Sequence, residues 1–529
     1  MNPAFSTPFS RQATFFIRLG ASLGALLILA SGWPMRASLP PCPLWDPDTW
    51  GYLNPALSWF NGQAFQQTDG RQVLYPSLLL LPLFQGQGFA GIAYAQQLVG
   101  VLSALLFWGI WLLWWNLLPS SRVRDVVLPW PGLVALALYS WNPSTVFYEL
   151  SLRPESIFAA FGLAQLACAV VFLRGAFHAS RSRTILIAAG ALSLFLAFCC
   201  FRLKPSWAFA MMFTSLPVAA AIAFATSRRK EALAAAALGF LAIAGMSAAY
   251  KSWMVPDSAS TRFLPTTLFT IHADLIAARM AGSTDGDPWE KSFRDNLESE
   301  LAIARSNPGT YTVLGFDPDY LMYRSSLGMP LLEAGLSDKD IERFYYRSYR
   351  DAWLSNPAGM VRKILRQLTT FLVPDRDTFL TNKKDFLTAY ARSAPIAEKA
   401  TMTEPGPASA LLEAHAEAAR VAGSKAHVLR APNWLRPAAS TVAVLALPVT
   451  ALFLVTFLLR GRRELLLPGF VALLFYSAPF GNALTVSVIH ALDIDRYRQT
   501  YGVFFSLALA AMLTYVLVAW LTSKSSCPK

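Results

Sequence analysis

Uninterrupted apolar runs dominate the chain, in place of the alternation of strands or the stripe of a soluble helix. Ten of them, at 13–33, 89–118, 126–147, 156–173, 184–201, 206–225, 232–253, 440–459, 465–484 and 501–521, are long enough to cross a hydrocarbon core of about 30 Å. The pattern predicts an all-α polytopic membrane protein of about ten transmembrane helices. The first run lacks a small-residue cleavage site at its end and reads as a retained span.

Two polar stretches interrupt the spans. The first, 34–88, is rich in Pro, Trp and Gln, and its short apolar piece at 73–84 covers only part of a bilayer and reads as an interfacial or re-entrant helix. The second, 256–435, predicts a mainly helical extracytoplasmic insertion with helices over 289–305, 338–354, 357–372 and 408–429. In 357–372, Met360, Ile364, Leu368 and Phe371 share a face and Arg362, Lys363 and Arg366 lie elsewhere, which suits a helix laid on the membrane or on the span bundle. The expected organisation is an N-terminal membrane module (1–255) carrying a catalytic first loop, the insertion (256–435) and a C-terminal membrane module (436–529). No internal repeat of the kind that builds many transporters is present.

Composition agrees: 54% of the 529 residues are hydrophobic and 15% charged, against about 25% charged in soluble domains. This excludes a disordered chain and a soluble single-core enzyme, and five cysteines exclude a disulfide framework. The net charge of +13 belongs to the membrane part, because the insertion is nearly neutral. With both termini cytoplasmic every short inside loop is basic, from Arg11 and Arg18 through Arg122, Arg124, Arg174, Arg228 and Arg229 to Lys524. The polar stretches then lie outside, in a bacterial periplasm if the membrane is an inner membrane. Nine cations remain at the outer face, where the orientation bias disfavours them: Arg36, Arg71, Arg153, Arg202, Lys204, Lys251, Arg436, Arg496 and Arg498. Arg36, Lys251 and Arg436 read as helix-end anchors or partners of acids. The others suit an anionic group such as a lipid-linked phosphate.

The same face carries acids. Trp45-Asp46-Pro47-Asp48-Thr49-Trp50 opens a short helix, with Asp48 placed as its N-cap and Asp46 as support for the turn. Asp48 and Tyr52, four residues apart, share a helical face. Glu155 follows Arg153 and Pro154 at a helix start, and Glu149 reads as a structural partner of Arg153. Arg202 and Lys204 sit where two spans meet, and Asp493, Asp495, Arg496 and Arg498 precede the last span. Trp50, Tyr52, Tyr75 and Tyr497 could stack on a sugar, although Trp and Tyr also collect at membrane interfaces. A divalent cation would find Asp46 and Asp48 but no third ligand. Asp317-Pro318-Asp319 in the insertion reads as a turn.

With Arg71-Gln72-Val73-Leu74-Tyr75-Pro76 after the loop acids, Leu203-Lys204-Pro205 at a span junction and Arg496-Tyr497 before a late span, the chain resembles the C-type, polyprenyl-phosphate-dependent glycosyltransferases. Protein mannosyltransferases and the lipid A aminoarabinose transferase belong to that superfamily. The resemblance covers about 13–253 and 465–521. Thr49 stands where the family has its second acid.

The resemblance implies inverting transfer of one sugar from a polyprenyl phosphate to a hydroxyl of an extracytoplasmic glycolipid, polysaccharide or protein. Asp48 is the implied general base, with Asp46 as runner-up, and Glu155 orients a hydroxyl. Lys204, Arg202, Arg496, Arg71 and Arg153 are the candidates for the donor phosphate, and Tyr52, Trp50, Tyr75 and Tyr497 for sugar or acceptor. Membrane lipids are further partners, and no nucleic acid is expected. The alternatives are an O-antigen ligase or polymerase-like enzyme using a pyrophosphate-linked glycan, and a lipid or solute transporter. A transporter would place charges deep in the spans.

Overall fold

The computed structural model describes residues 9–68, 71–178, 182–256, 259–282, 287–309, 311, 313–372, 383–402, 406–425, 428–459, 463–489 and 494–523. Eight helices among them are long and apolar enough to span: Arg11–Ala37, Leu74–Trp115, Glu155–Phe177, Arg183–Leu203, Pro205–Phe224, Thr226–Trp253, Arg463–Ile489 and Gly502–Leu521. A ninth is the pair Leu435–Val442 and Val444–Leu459, bent by 41°. The chain is a multi-pass helical membrane protein.

The run at 126–147 departs from the single span expected. It is built as Arg122–Val127, Pro129–Ser140 and Pro143–Leu150, because Ser121 and Asn142 cap new helix starts with their side chains and Pro143 fills a first-turn position. The short apolar piece of the first loop forms the helix Leu74–Pro82. It is set off from Gly88–Trp115 by a break at which Gly86 and Gly88 adopt φ of 74° and 53°, values that glycine accepts without strain. Small residues bring the helices close: a Cβ on Gly481 would meet the backbone of Ala210.

The insertion is helical, as expected. Pro288–Ser306, Asp338–Ser355, Pro357–Leu372 and Pro407–Gly423 match the anticipated stretches, and Ala259–Ile271, Ala273–Ala281 and Phe386–Thr401 join them. Met360, Ile364, Leu368 and Phe371 are buried, and their helix packs on Arg463–Ile489, so it rests on the span bundle. Lys363 is not on the helix's solvated side. It is buried, donates to the Ile271 carbonyl (2.6 Å) and pairs with Asp274. Asp317 caps Pro318–Tyr323, accepting from Asp319 N and Tyr320 N, as its turn reading required.

One buried ion pair holds the frame of the first loop. Arg36, at the end of the first helix, donates from Nε and Nη2 to the two Glu149 oxygens, each at 2.7 Å, and both side chains are almost completely buried. Glu149 is therefore the partner of Arg36 and not of Arg153. A Cβ on Gly100 would collide with the Glu149 carboxylate, so the neighbouring helix needs glycine there. Arg36→Met leaves a buried carboxylate alone and lowers stability by about 3–5 kcal/mol, whereas Arg36→Met with Glu149→Leu recovers most of the loss. Thermal unfolding in detergent measures both, and a single variant as stable as the parent contradicts a sealed pair.

Candidate active site

The site grows from a short backbone contact. Leu44 N donates to Leu150 O (2.9 Å) and Leu152 N to Leu44 O (3.0 Å), a parallel bridge that lays the start of the first loop along residues 150–152. Trp45 is pinned next to it: its N–H donates to Ser393 Oγ (2.8 Å), and that hydroxyl also reaches Trp45 O. Asp46 then turns the chain. Its carboxylate Oδ1 accepts from Asp48 N (2.9 Å), and its own N–H donates to Thr49 Oγ1 (3.0 Å), which is local side-chain-to-backbone bonding typical of a tight turn.

Asp46 supports the turn as its sequence suggested. Asp48 occupies the N-cap position of Thr49–Phe60, yet its carboxylate makes no cap bond. It pairs with Arg71 Nη2 at 2.7 Å and lies 3.4 Å from Arg153 Nη2, while Arg153 Nε pairs with Asp46. Arg71 also lies 5.2 Å over the Tyr52 ring, a cation–π contact that uses the face Tyr52 shares with Asp48. Among the described residues, two carboxylates and two guanidinium groups thus form one cluster of balanced charge, with each Asp side chain 32% exposed and therefore within reach of a substrate.

Two residues beyond Arg153, Glu155 opens the helix Glu155–His178. It accepts from Lys204 Nζ at 2.6 Å, and the same ammonium donates to Thr500 Oγ1 (3.0 Å) and lies 4.8 Å over the Tyr497 ring. This second pair is largely buried. Pro205 begins the next helix directly after Lys204, so the junction of two spans sets the direction of that side chain.

Tyr75 is buried, and its hydroxyl donates to Gln96 Oε1 at 2.8 Å. Gln96 Nε2 donates to the carbonyls of Glu149 and Ser151, so Tyr75 braces the site rather than facing open space. Trp50 and Tyr52 are partly buried against the core. Arg202 does not join Lys204; it lines a separate cavity with Tyr250 and Lys251. Arg496 lies in the first turn of the helix Ile494–Ser523, but its side chain lies outside the described residues, as do Asp493 and Asp69.

Sequence reasoning missed Ser393, Gln96 and Thr500. Only Thr500 carried a signal, one helical turn after Arg496 and next to the start of the last apolar run; Ser393 lies 348 residues from its partner. Among the described residues no group of three or more His, Cys, Asp or Glu could hold a metal ion. A divalent cation at Asp46 and Asp48 would have to displace a guanidinium group from each.

The fold and site define a multi-pass helical membrane protein with paired charges at the junction of its first loop and its spans. No protein-family profile matches the chain, and no curated protein matches it by sequence. Among solved structures, the crystal structure of ArnT from Cupriavidus metallidurans bound to undecaprenyl phosphate is similar to it at 12% identity, covering 94% of this chain and 77% of that one, with a TM-score of 0.29.

His415, from the insertion helix Pro407–Gly423, stacks on Trp45 with ring centroids 4.7 Å apart, and its Nδ1 lies 3.7 Å from Cys42 Sγ. Burial holds its pKa down to about 3, below the roughly 6.5 of an unfolded histidine. Between those values the unfolded state binds the extra proton, so the contact is at full strength above about pH 6.5 and weakens as pH falls toward 3. Hydrogen exchange over residues 40–48, corrected for intrinsic rates, should therefore show protection falling between pH 7 and 4.5. His415→Gln should abolish that dependence, and an unchanged profile in this variant rules out His415 as its source.

Proposed function

We propose that this protein is a membrane glycosyltransferase that moves a single sugar from a polyprenyl-phosphate donor to a hydroxyl of an extracytoplasmic glycolipid, polysaccharide or protein. The observation that carries the reading is the paired cluster of Asp46, Asp48, Arg71 and Arg153 together with the Glu155–Lys204 pair. It supplies both halves of the chemistry. Arg71 and Arg153 match a phosphate in the two-pronged way guanidinium groups do, and Lys204 adds a point charge for the leaving group. A phosphate monoester leaves without needing a proton, so positive charge on the leaving side suffices.

Asp48 is the general base. In the resting protein Arg71 and Arg153 meet its two carboxylate oxygens. A lipid phosphate that draws those guanidinium groups to itself loosens that hold as the donor binds, and Asp48 is then free to take the proton of the acceptor hydroxyl. Attack from the face opposite the phosphate inverts the anomeric carbon. Asp46, tied into the turn, keeps Arg153 in place, and Glu155 orients a hydroxyl while anchoring Lys204. Tyr52 presents its ring beside Asp48 for sugar contact.

The basic short loops support both termini in the cytoplasm, which needs the broken stretch 122–150 to complete a tenth crossing, and a site on the opposite side, periplasmic in a bacterial inner membrane. The charges of the site collect at the ends of spans and not at their centres, which disfavours a transporter.

The test is transfer of a labelled sugar from polyprenyl-phosphate donors to a membrane glycolipid extract by the purified protein. Asp48→Asn should lower turnover by about 10²–10⁴-fold with folding intact, the range of a lost general base. Full turnover in Asp48→Asn removes it from that role, and no turnover of any donor by the parent overturns the reading. Because guanidinium groups already neutralise the two aspartates, EDTA should change the rate by less than about twofold. A large loss restored by Mg²⁺ would place a metal in the reaction.

A further inference from the structure

A second set of cations stands apart from the carboxylates. Arg36, Arg71, Arg153 and Lys204 each face an acid. Arg202 and Lys251 differ: both line a cavity of about 590 Å³ between the ends of Arg183–Leu203 and Arg229–Trp253, and among the described residues no carboxylate lines it or pairs with either. Gln67, Gln72, Ser247 and Tyr250 supply the other polar groups of the wall.

The walls are fixed from several sides. Phe65–Gln66 pairs with Met254–Val255 as a two-residue parallel sheet, Gln67 N donates to Val255 O (2.9 Å), and Phe65 stacks on Trp253 at 4.2 Å. Tyr250 Oη lies 3.1 Å from Ser77 Oγ, and Gln67 Nε2 donates to the Arg71 carbonyl at 2.8 Å. The segment that carries Arg71 toward Asp48 therefore also forms a wall of this cavity. Gln72 Oε1 is buried and has no hydrogen-bond partner among the described residues, which is costly unless something polar meets it.

Positive charge without a carboxylate partner among the described residues, at the ends of two membrane-spanning helices, suits a negative headgroup. A phosphate can accept from Arg202 and Lys251, and a hydroxyl-bearing headgroup can also donate to Gln72. We propose that this cavity is an anion site, separate from the reaction centre, that holds the phosphate headgroup of a membrane lipid in the leaflet at the site's face. The inference does not require sugar transfer, so it can fail or stand apart from the proposed activity.

The experiment is native mass spectrometry of the detergent-solubilised full chain titrated with phosphatidylglycerol, phosphatidylcholine or inorganic phosphate. The parent should retain phosphatidylglycerol over phosphatidylcholine by about tenfold, and Arg202→Gln with Lys251→Gln should remove that preference. Lys204→Gln, which changes the reaction centre only, should leave the preference in place. Lys251→Glu keeps the test sound if the double variant misfolds, since Lys251 is exposed, and it should reverse the preference.

Displacement of the lipid by millimolar inorganic phosphate supports a site that reads phosphate alone. Retention against phosphate, still dependent on Arg202 and Lys251, supports a site that reads the lipid. Equal retention of both lipids by the parent, or a preference lost only in Lys204→Gln, overturns the proposal. So does a strong rise in phosphatidylglycerol retention in Asp69→Asn or Asp257→Asn, which would show the cations to be neutralised by acids of the adjoining loops.

Discussion

The guanidinium group of Arg153 holds Asp46 and reaches Asp48, and most of what surrounds it serves to keep it there. Carboxylates next to a bilayer are tolerated when they are paired, and here pairing is obtained from a segment more than a hundred residues away. The Leu44–Ser151 bridge sets the two backbones side by side, and Ser393 holds Trp45 so that the turn at Asp46 cannot drift. Arg36 and Glu149 lock the helix ends beneath it. Remove that alignment and four charges would each have to be solvated at a membrane face.

The balance of charge among the cluster's described residues also gives it a chemical character. A pair of aspartates without cations would repel an anionic donor, and a pair of arginines without carboxylates would bind one but leave no base. In the proposed reaction the four groups would exchange partners: phosphate for carboxylate on the arginines, hydroxyl proton for guanidinium on Asp48. Lys204 and Glu155 repeat the arrangement in a drier setting, with Thr500 and Tyr497 also meeting the ammonium. Arg202, only two residues from Lys204, faces another cavity, because successive residues at a helix end point in different directions.

Much of this architecture was legible in the chain. Long apolar runs announced the helical membrane fold because only hydrocarbon explains them. The broken stretch at 126–147 was hidden because hydropathy averages over caps, although Asn142-Pro143 is the break signal. Within the site, Asp46, Asp48, Tyr52, Arg71 and Arg153 were found through their sidedness, and the structure gathers them. Partner choice was not legible: Glu149 turned to Arg36 and Asp48 to Arg71, because pairing depends on which helix ends meet in space. The burial of Tyr75 and Lys363, and the anchoring role of Ser393, depend on long-range packing that residue type does not announce.

The central claim is an exchange of partners at Arg71 and Arg153, and equilibrium binding of a polyprenyl monophosphate to the purified protein tests it most directly. Asp48→Asn removes one carboxylate charge from Arg71 and Arg153, so the account predicts that this variant binds the lipid phosphate at least as tightly as the parent, while Arg71→Gln binds it about tenfold or more weakly. Binding lost in Asp48→Asn and kept in Arg71→Gln would contradict the account.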